Sequence, residues 1–282
     1  MNGSQDRLRQ VTSKQNLLVK QLRQAFTQAE LTEDGYCAIE GTRMLEEAIR
    51  SGLRMKAVFF SQAGRERAQR LLPQISSHAE TLLLPDEVFR SAVNTETPQG
   101  VAALVKPKAF DFEDMAGPEA LILAAAGIQD PGNLGTMIRS AEAMGASGVL
   151  ATEGTVHCFN PKVIRASAGS LFRLPVVRLA LPDALEKLRA AGTAILATSS
   201  HKGTPIYEAD LTGPSAVFIG GEGAGVSKDL IAAADEVIAI PHSGKTESLN
   251  AGVAAAIILY EAARQRRTAE EPEEERGDSQ RE

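Results

Sequence analysis

Three times in the second half of this chain, a short apolar run stops at a polar, glycine-bearing loop that leads into a helix. The runs are residues 121–126 (LILAAA), 216–219 (AVFI) and 237–240 (VIAI). Such strand–loop–helix corners specify an α/β domain, and their loops lie at the carboxyl ends of strands, where open α/β sheets place ligands. The loop at 220–227 holds Gly220, Gly221, Gly223 and Gly225, which let backbone approach a ligand closely or take positive φ. Glu222 sits among them, and a carboxylate there repels phosphate, so a cationic or hydroxyl-bearing ligand fits better than a phosphate. The third corner ends in Thr246-Glu247-Ser248-Leu249-Asn250 before a small, apolar helix at 251–264. Ser248 and Asn250 are either plain caps of that helix or polar groups of a site. After the first run, Asn133 reads as the N-cap of a helix at 135–144, turning its amide and the Arg139 guanidinium toward one mouth. The other reading of Arg139 is a surface pair with Glu142. Three corners with polar tips exceed what capping alone explains.

Composition bounds the function classes. A chain of 282 residues, 43% hydrophobic, has room for two domains. It has no Trp and only 4% aromatics, so no aromatic platform for stacking bases is written into it. The net charge of −6 is mostly a property of the tail: residues 268–282 hold seven acidic and two basic residues, leaving −1 elsewhere. The first 70 residues carry twelve Lys/Arg against eight Asp/Glu. Charge therefore neither proves nor excludes a nucleic-acid partner. Cys37 and Cys158 share no metal-ligand or redox spacing and read as packing residues. The polar N-terminus lacks a signal peptide's apolar segment, and no run approaches the ~20 apolar residues of a membrane span. The expectation is a cytoplasmic protein without membrane or metal.

In the first half, Leu8, Val11, Leu17, Leu18, Leu22 and Phe26 recur at helical spacing over residues 5–29, with Arg7, Arg9, Lys14, Lys20 and Arg23 between them. This predicts one amphipathic helix, broken near Thr12 and Ser13, whose basic face either meets phosphates or is simply solvated. Strands follow at 35–41, 57–60, 81–84 and 101–105, alternating with helices at 42–51, 63–72 and 86–93, which makes a compact α/β unit. A boundary is expected in 106–118, where Pro, Gly and charge mix without periodicity. Downstream, residues 160–170 read as a loop and basic helix bearing Lys162 and Arg165, which either contact phosphates or face solvent. A strand at 172–177 and a helix at 185–191 come next, then a strand at 194–197 that ends in Thr198-Ser199-Ser200-His201. His201 receives no role. The tail after Arg267 is Glu-rich and expected to be disordered.

The stretches D-P-G-N-L-G-T-M-I-R at 130–139, G-G-E-G-A-G-V-S at 220–227 and I-P-H-S-G-K-T-E-S-L-N at 240–250 resemble, in order and spacing, three motifs of one family. They are those of the SpoU (TrmH-type) RNA ribose 2′-O-methyltransferases of the SPOUT superfamily. The resemblance covers about 119–265. The N-terminal half is similar to that family's L30e-like RNA substrate-binding domain, whose recurrent residues fall at Asn16, Lys20, Glu40, Gly41, Gln99 and Gly100. The resemblance implies an α/β substrate-binding domain at 1–105, a linker at 106–118, an α/β trefoil-knotted methyltransferase domain at 119–267 and an acidic tail at 268–282. A knot is an exception to the rule against threaded chains. The resemblance also implies S-adenosyl-L-methionine as cofactor, an RNA partner (ribosomal RNA favoured over transfer RNA) and a homodimer through the catalytic domain.

By the same resemblance, Arg139, Asn133, Glu222, Ser248 and Asn250 are catalytic. Thr198, Gly220, Glu222, Ile240 and Leu249 bind the cofactor, and Lys20, Lys162 and Arg165 contact RNA. Arg139 is implied to act on the ribose 2′-hydroxyl as a base. A guanidinium with a pKa above ~12 is a poor base in water, so physics favours orientation or stabilisation of a developing alkoxide, and both readings stay open. Two alternatives remain. An NAD-dependent oxidoreductase also uses glycine corners, but residues 221–226 break G-x-G-x-x-G at its last position. An RNA-binding protein that has lost catalysis is disfavoured by the intact polar positions of all three motifs.

Overall fold

The computed structural model describes residues 7–200, 202–221, 223, 225–243 and 247–270. The chain divides into two compact units. The first comprises residues 1–109 and 157–173, the second 110–156 and 174–282. Segment 157–173, assigned to the catalytic half by sequence, thus belongs to the first unit.

The first unit runs β1 (Leu8–Gln10), α1 (Leu17–Gln28), β2 (Cys37–Glu40), α2 (Thr42–Arg50), β3 (Arg54–Ser61), α3 (Arg65–Leu71), β4 (Glu80–Leu84), α4 (Asp86–Arg90) and β5 (Val101–Lys106). Its sheet has the order β1-β4-β3-β5-β2, with β1, β4 and β3 parallel and β5 antiparallel to both its neighbours. Leu22 and Phe26 of α1 pack with Phe59, Leu82, Phe89 and Leu104 into one core. The expected helix over 5–29 is corrected at its start: residues 8–10 are a strand paired with β4. Helix begins only where Asn16 caps it, its side chain accepting the Leu18 N–H. Just upstream, the Arg7 side chain donates to the carbonyls of Ile75 and Ser76 at 3.2 and 2.8 Å.

The second unit runs β6 (Leu121–Ala126), α5 (Pro131–Ala143) and β7 (Gly148–Ala151). The intervening α6 (Pro161–Ala166) belongs to the first unit. The second unit continues with β8 (Val176–Arg178), α7 (Leu181–Ala190), β9 (Ala194–Ser199), β10 (Thr204–Pro205), β11 (Ser215–Gly220), α8 (Lys228–Ala233), β12 (Glu236–Ala239) and α9 (Ala251–Glu270). The strand expected at 172–177 begins only at Val176, because Ser170–Phe172 closes as a 3₁₀ turn after Gly169 at φ +96°.

The seven strands of this unit pair in parallel in the order β10-β12-β9-β11-β6-β7-β8. The apolar runs are therefore buried on both faces, with Ile122, Leu123, Val217 and Phe218 at 0–1% exposure. From β6 the chain winds outward through β7 to β8, and the later strands build on the other side of β11. The β6–β11 boundary is thus the topological switch point, where such sheets open a crevice at their carboxyl ends.

Helix α9 spans the sheet's length. Near its far end Arg266 donates to the carbonyls of Glu119, Gly213 and Leu211 at 2.7, 2.7 and 2.9 Å, and burial lowers its pKa from the ordinary value. Among the described residues, no helix is long and apolar enough to cross a membrane, and no group of three His, Cys, Asp or Glu side chains could hold a metal ion.

Candidate active site

The loops that follow β9, β11 and β12 enclose a cavity of about 520 Å³. Thr198, Gly220, Ile240, Ser248 and Leu249, all singled out from sequence, line it. Thr198 Oγ1 donates to the Phe218 carbonyl at 2.9 Å, tying β9 to β11 at the cavity. Sequence reasoning missed Ser199, Ser200, His242 and Glu247, which also line it. His242 and Glu247 stand inside the 240–250 motif, and Ser199 and Ser200 follow Thr198 directly, which was their one signal. His242 Nδ1 lies 3.0 Å from the Ile240 carbonyl; a carbonyl only accepts, so that nitrogen carries the hydrogen.

The glycine loop is folded against backbone. A Cβ on Gly220 would stand 2.0 Å from the Gly225 carbonyl carbon, and one on Gly221 would stand 2.4 Å from the Gly127 carbonyl oxygen. Gly223 and Gly225, at φ +83° and +63°, have open space where a side chain would go, so these two positions offer a ligand backbone alone. Glu222 lies outside the described residues, as does His201.

A second cavity of about 380 Å³ is lined by residues 126–130, Asn133, Gly221, Gly225 and Ala251. Gly221, Gly225 and Ala251 line both cavities, which therefore share a wall. Here all three motifs meet: the first and second line the cavity, and the third reaches it through Asn133. Asn250 Nδ2 donates to Asn133 Oδ1 at 2.8 Å, across 117 residues of sequence. Asn250 Oδ1 accepts the N–H groups of Gly252 and Val253 at 3.0 and 3.2 Å, so Asn250 caps α9 and joins the motifs at once. Capping and site roles, posed as alternatives in sequence, coincide in this residue.

Two expectations about α5 are corrected. Asn133 is not its N-cap. Asp130 is, accepting the Asn133 N–H at 2.7 Å, with Pro131 at the first helical position, where its missing N–H costs nothing. Asn133 therefore lies inside the first turn and is buried. Nor do Asn133 and Arg139 share one mouth. Six residues are about 600° of rotation, so the two side chains diverge by roughly 120°. Arg139 is exposed and lines neither cavity. Lys20 on α1 and Lys162 and Arg165 on α6 are exposed, and all three lie in the first unit.

A parallel sheet whose carboxyl ends carry two adjoining cavities with glycine backbone in their shared wall is an α/β domain of the kind that binds ligands at its strand ends. Residues 120–260 match the SpoU rRNA Methylase family, and residues 16–103 match the MRM3-like substrate binding domain. The chain is 35% identical over 253 residues to the 23S rRNA (guanosine(2553)-2'-O)-methyltransferase RlmP of Bacillus subtilis, covering 90% of this chain and 98% of that protein. It is 34% identical over 256 residues to the 23S rRNA (uridine(2479)-2'-O)-methyltransferase of Streptomyces viridochromogenes, covering 86% and 88%. Among solved structures, the SpoU methyltransferase AviRb from Streptomyces viridochromogenes in complex with AdoMet matches with a TM-score of 0.79 at 30% identity, covering 90% of this chain and 99% of that one. The AdoMet-bound rRNA methyltransferase from Sinorhizobium meliloti matches with 0.79 at 28% identity, covering 92% and 98%. The chain belongs to the SpoU rRNA methylase family. The family read from three motifs holds, as does the α/β layout of a substrate-binding domain ahead of a methylase domain.

Proposed function

We propose that this protein transfers a methyl group from S-adenosyl-L-methionine to a ribose 2′-hydroxyl of a structured RNA, ribosomal RNA before transfer RNA. The Asn250–Asn133 hydrogen bond carries the reading, because it ties the third motif to the first beside the smaller cavity, which Asn133 lines and which shares a wall with the larger one. The larger cavity fits a nucleoside linked to an amino acid: Ile219, Ile240 and Leu249 offer apolar surface, while Thr198 and the glycine backbone offer polar groups. Thr198, Gly220, Glu222, Ile240 and Leu249 hold the cofactor in this reading, which supplies an electrophilic methyl on sulfur. In this reading the smaller cavity takes the sugar beside Asn133, which Asn250 holds through its amide, and Ser248, on the wall of the larger cavity, completes the polar set with Glu222. Lys20, Lys162 and Arg165 contact RNA phosphates.

Arg139 needs a second copy of the chain. Val253, Ile257 and Tyr260 are 48%, 37% and 58% exposed at i, i+4 and i+7 on α9, an apolar stripe that favours association. Thr136 of α5 lies beside Gly252 of α9, so the outward face of α5 that bears Arg139 adjoins this stripe. In a homodimer built on that face, Arg139 serves the neighbouring copy's site, stabilising the alkoxide as the hydroxyl proton leaves. The knot implied by the resemblance is part of the same proposal. The test is calorimetry with S-adenosylmethionine and with NAD, followed by methyl incorporation into RNA. Arg139→Ala is expected to bind cofactor normally and to transfer no methyl. Binding of NAD in place of S-adenosylmethionine, or turnover by that variant, would overturn the reading.

A further inference from the structure

We propose that Thr155 is a positioning residue for methyl transfer, acting through the loop at 127–130; this rests on the function proposed above. Thr155 is only 3% exposed. Its Oγ1 donates to the Ala125 carbonyl at 3.0 Å and accepts the N–H groups of Gly127 and Ile128 at 3.0 and 3.2 Å. One hydroxyl thereby uses its hydrogen and both lone pairs on the stretch that leaves β6. The hydroxyl is itself held, because Arg178 Nη1 donates to the Thr155 carbonyl at 2.9 Å and the Val156 N–H donates to the Ile128 carbonyl at 2.8 Å.

What this clamp fixes is the wall of the smaller cavity. Gly127 turns at φ +71°. Its carbonyl oxygen is the atom that a Cβ on Gly221 would meet at 2.4 Å, so the clamped turn sets how closely the first and second motif loops approach. Three residues further on, Asp130 starts α5 and holds the Asn133 N–H. Gly127, Ile128, Asp130 and Asn133 all line the cavity, whereas Thr155 does not. Its effect on chemistry therefore passes through the loop.

Valine copies threonine's shape without its hydrogen bonds, and serine keeps the hydroxyl. In full-length protein, Thr155→Val and Thr155→Ser are compared by kcat, KM for RNA, calorimetric affinity for S-adenosylmethionine and hydrogen exchange at the Gly127 and Ile128 amides. For Thr155→Val, exchange at those amides is expected to rise about tenfold or more, the loss of one net hydrogen bond each. Its kcat is expected to fall about 10- to 100-fold, the scale of a misplaced reactive geometry, with cofactor affinity within about twofold. Thr155→Ser should stay near wild type in every measure. Should the valine variant not fold, Thr155→Cys, a weaker donor and acceptor, carries the same directions. A valine variant with wild-type kcat, a serine variant as impaired as valine, or unchanged exchange would each overturn the proposal. Absence of methyl transfer by the wild type would refute the assigned activity instead, and the exchange data alone would then decide whether Thr155 clamps the loop.

Discussion

Removing the donor half of Asn250 while keeping its cap isolates the bond that joins two motifs. Asn250→Ser retains an oxygen for the Gly252 and Val253 N–H groups but loses the Nδ2–H that reaches Asn133 Oδ1. One partly buried, neutral hydrogen bond contributes about 0.5–1.5 kcal/mol net, so the serine variant is expected to lose about 1 kcal/mol. Asn250→Ala loses the cap as well, about 1 kcal/mol more, for a total near 2 kcal/mol. In a chain of this size each kcal/mol lowers Tm by about 2–4 °C. Urea unfolding of Asn250→Ser, Asn133→Ala and the double variant closes a cycle, with an expected coupling of about 1 kcal/mol. Coupling below about 0.3 kcal/mol, ordinary additivity between independent sites, would show that the two amides do not support each other and would remove the observation on which the site is built.

Gly221→Ala is expected to abolish cofactor binding measured by calorimetry, because its Cβ would stand 2.4 Å from the Gly127 carbonyl and backbone on both sides would have to move. Wild-type affinity in that variant would place the ligand elsewhere. Arg266→Met removes donors from the carbonyls of Glu119, Gly213 and Leu211, and is expected to cost about 2–4 kcal/mol in urea unfolding while folded protein keeps its activity. Burial pushes the Cys37 thiol up to about 12, so the folded protein at pH 8 holds almost no thiolate there. Mass spectrometry after alkylation at that pH should find Cys37 unmodified until urea unfolds the chain. If the proposed homodimer forms on this face, Val253→Glu with Ile257→Glu leaves cofactor binding intact, sediments as a monomer where the wild type sediments as a dimer, and abolishes methyl transfer. A fully active monomer would return Arg139 to its own chain's site.

The corners of the methylase unit were legible because each signal is local: an unbroken apolar run, then glycine or a capping residue. Thr198, Gly220, Ile240, Ser248 and Leu249, singled out on such signals, all line the larger cavity. Signals shared by two structures misled. Leu8 and Val11 are spaced for a helix, yet Leu8 pairs with Thr81 in a strand, a contact 73 residues away that local periodicity cannot register. Asn133 and Asp130 are both good caps, and Pro131 decides between them by fixing where the helix starts. Thr155 carries no motif at all; its three hydrogen bonds exist only once β6 and the segment after β7 lie side by side. The two-residue strand β10 is too short for any period to reveal.

The sheet's strand order also has a consequence for biosynthesis. Its central pair, β6 and β11, is separated by nearly ninety residues of chain, and the Asn250 amide that reaches Asn133 arrives later still. A polypeptide emerging from its N-terminus can thus complete the first unit's strands long before the methylase sheet can close. Such a non-local parallel pairing is slow to assemble. Nascent chains should therefore stay unable to capture the methyl donor until Asn250 and α9 have been made.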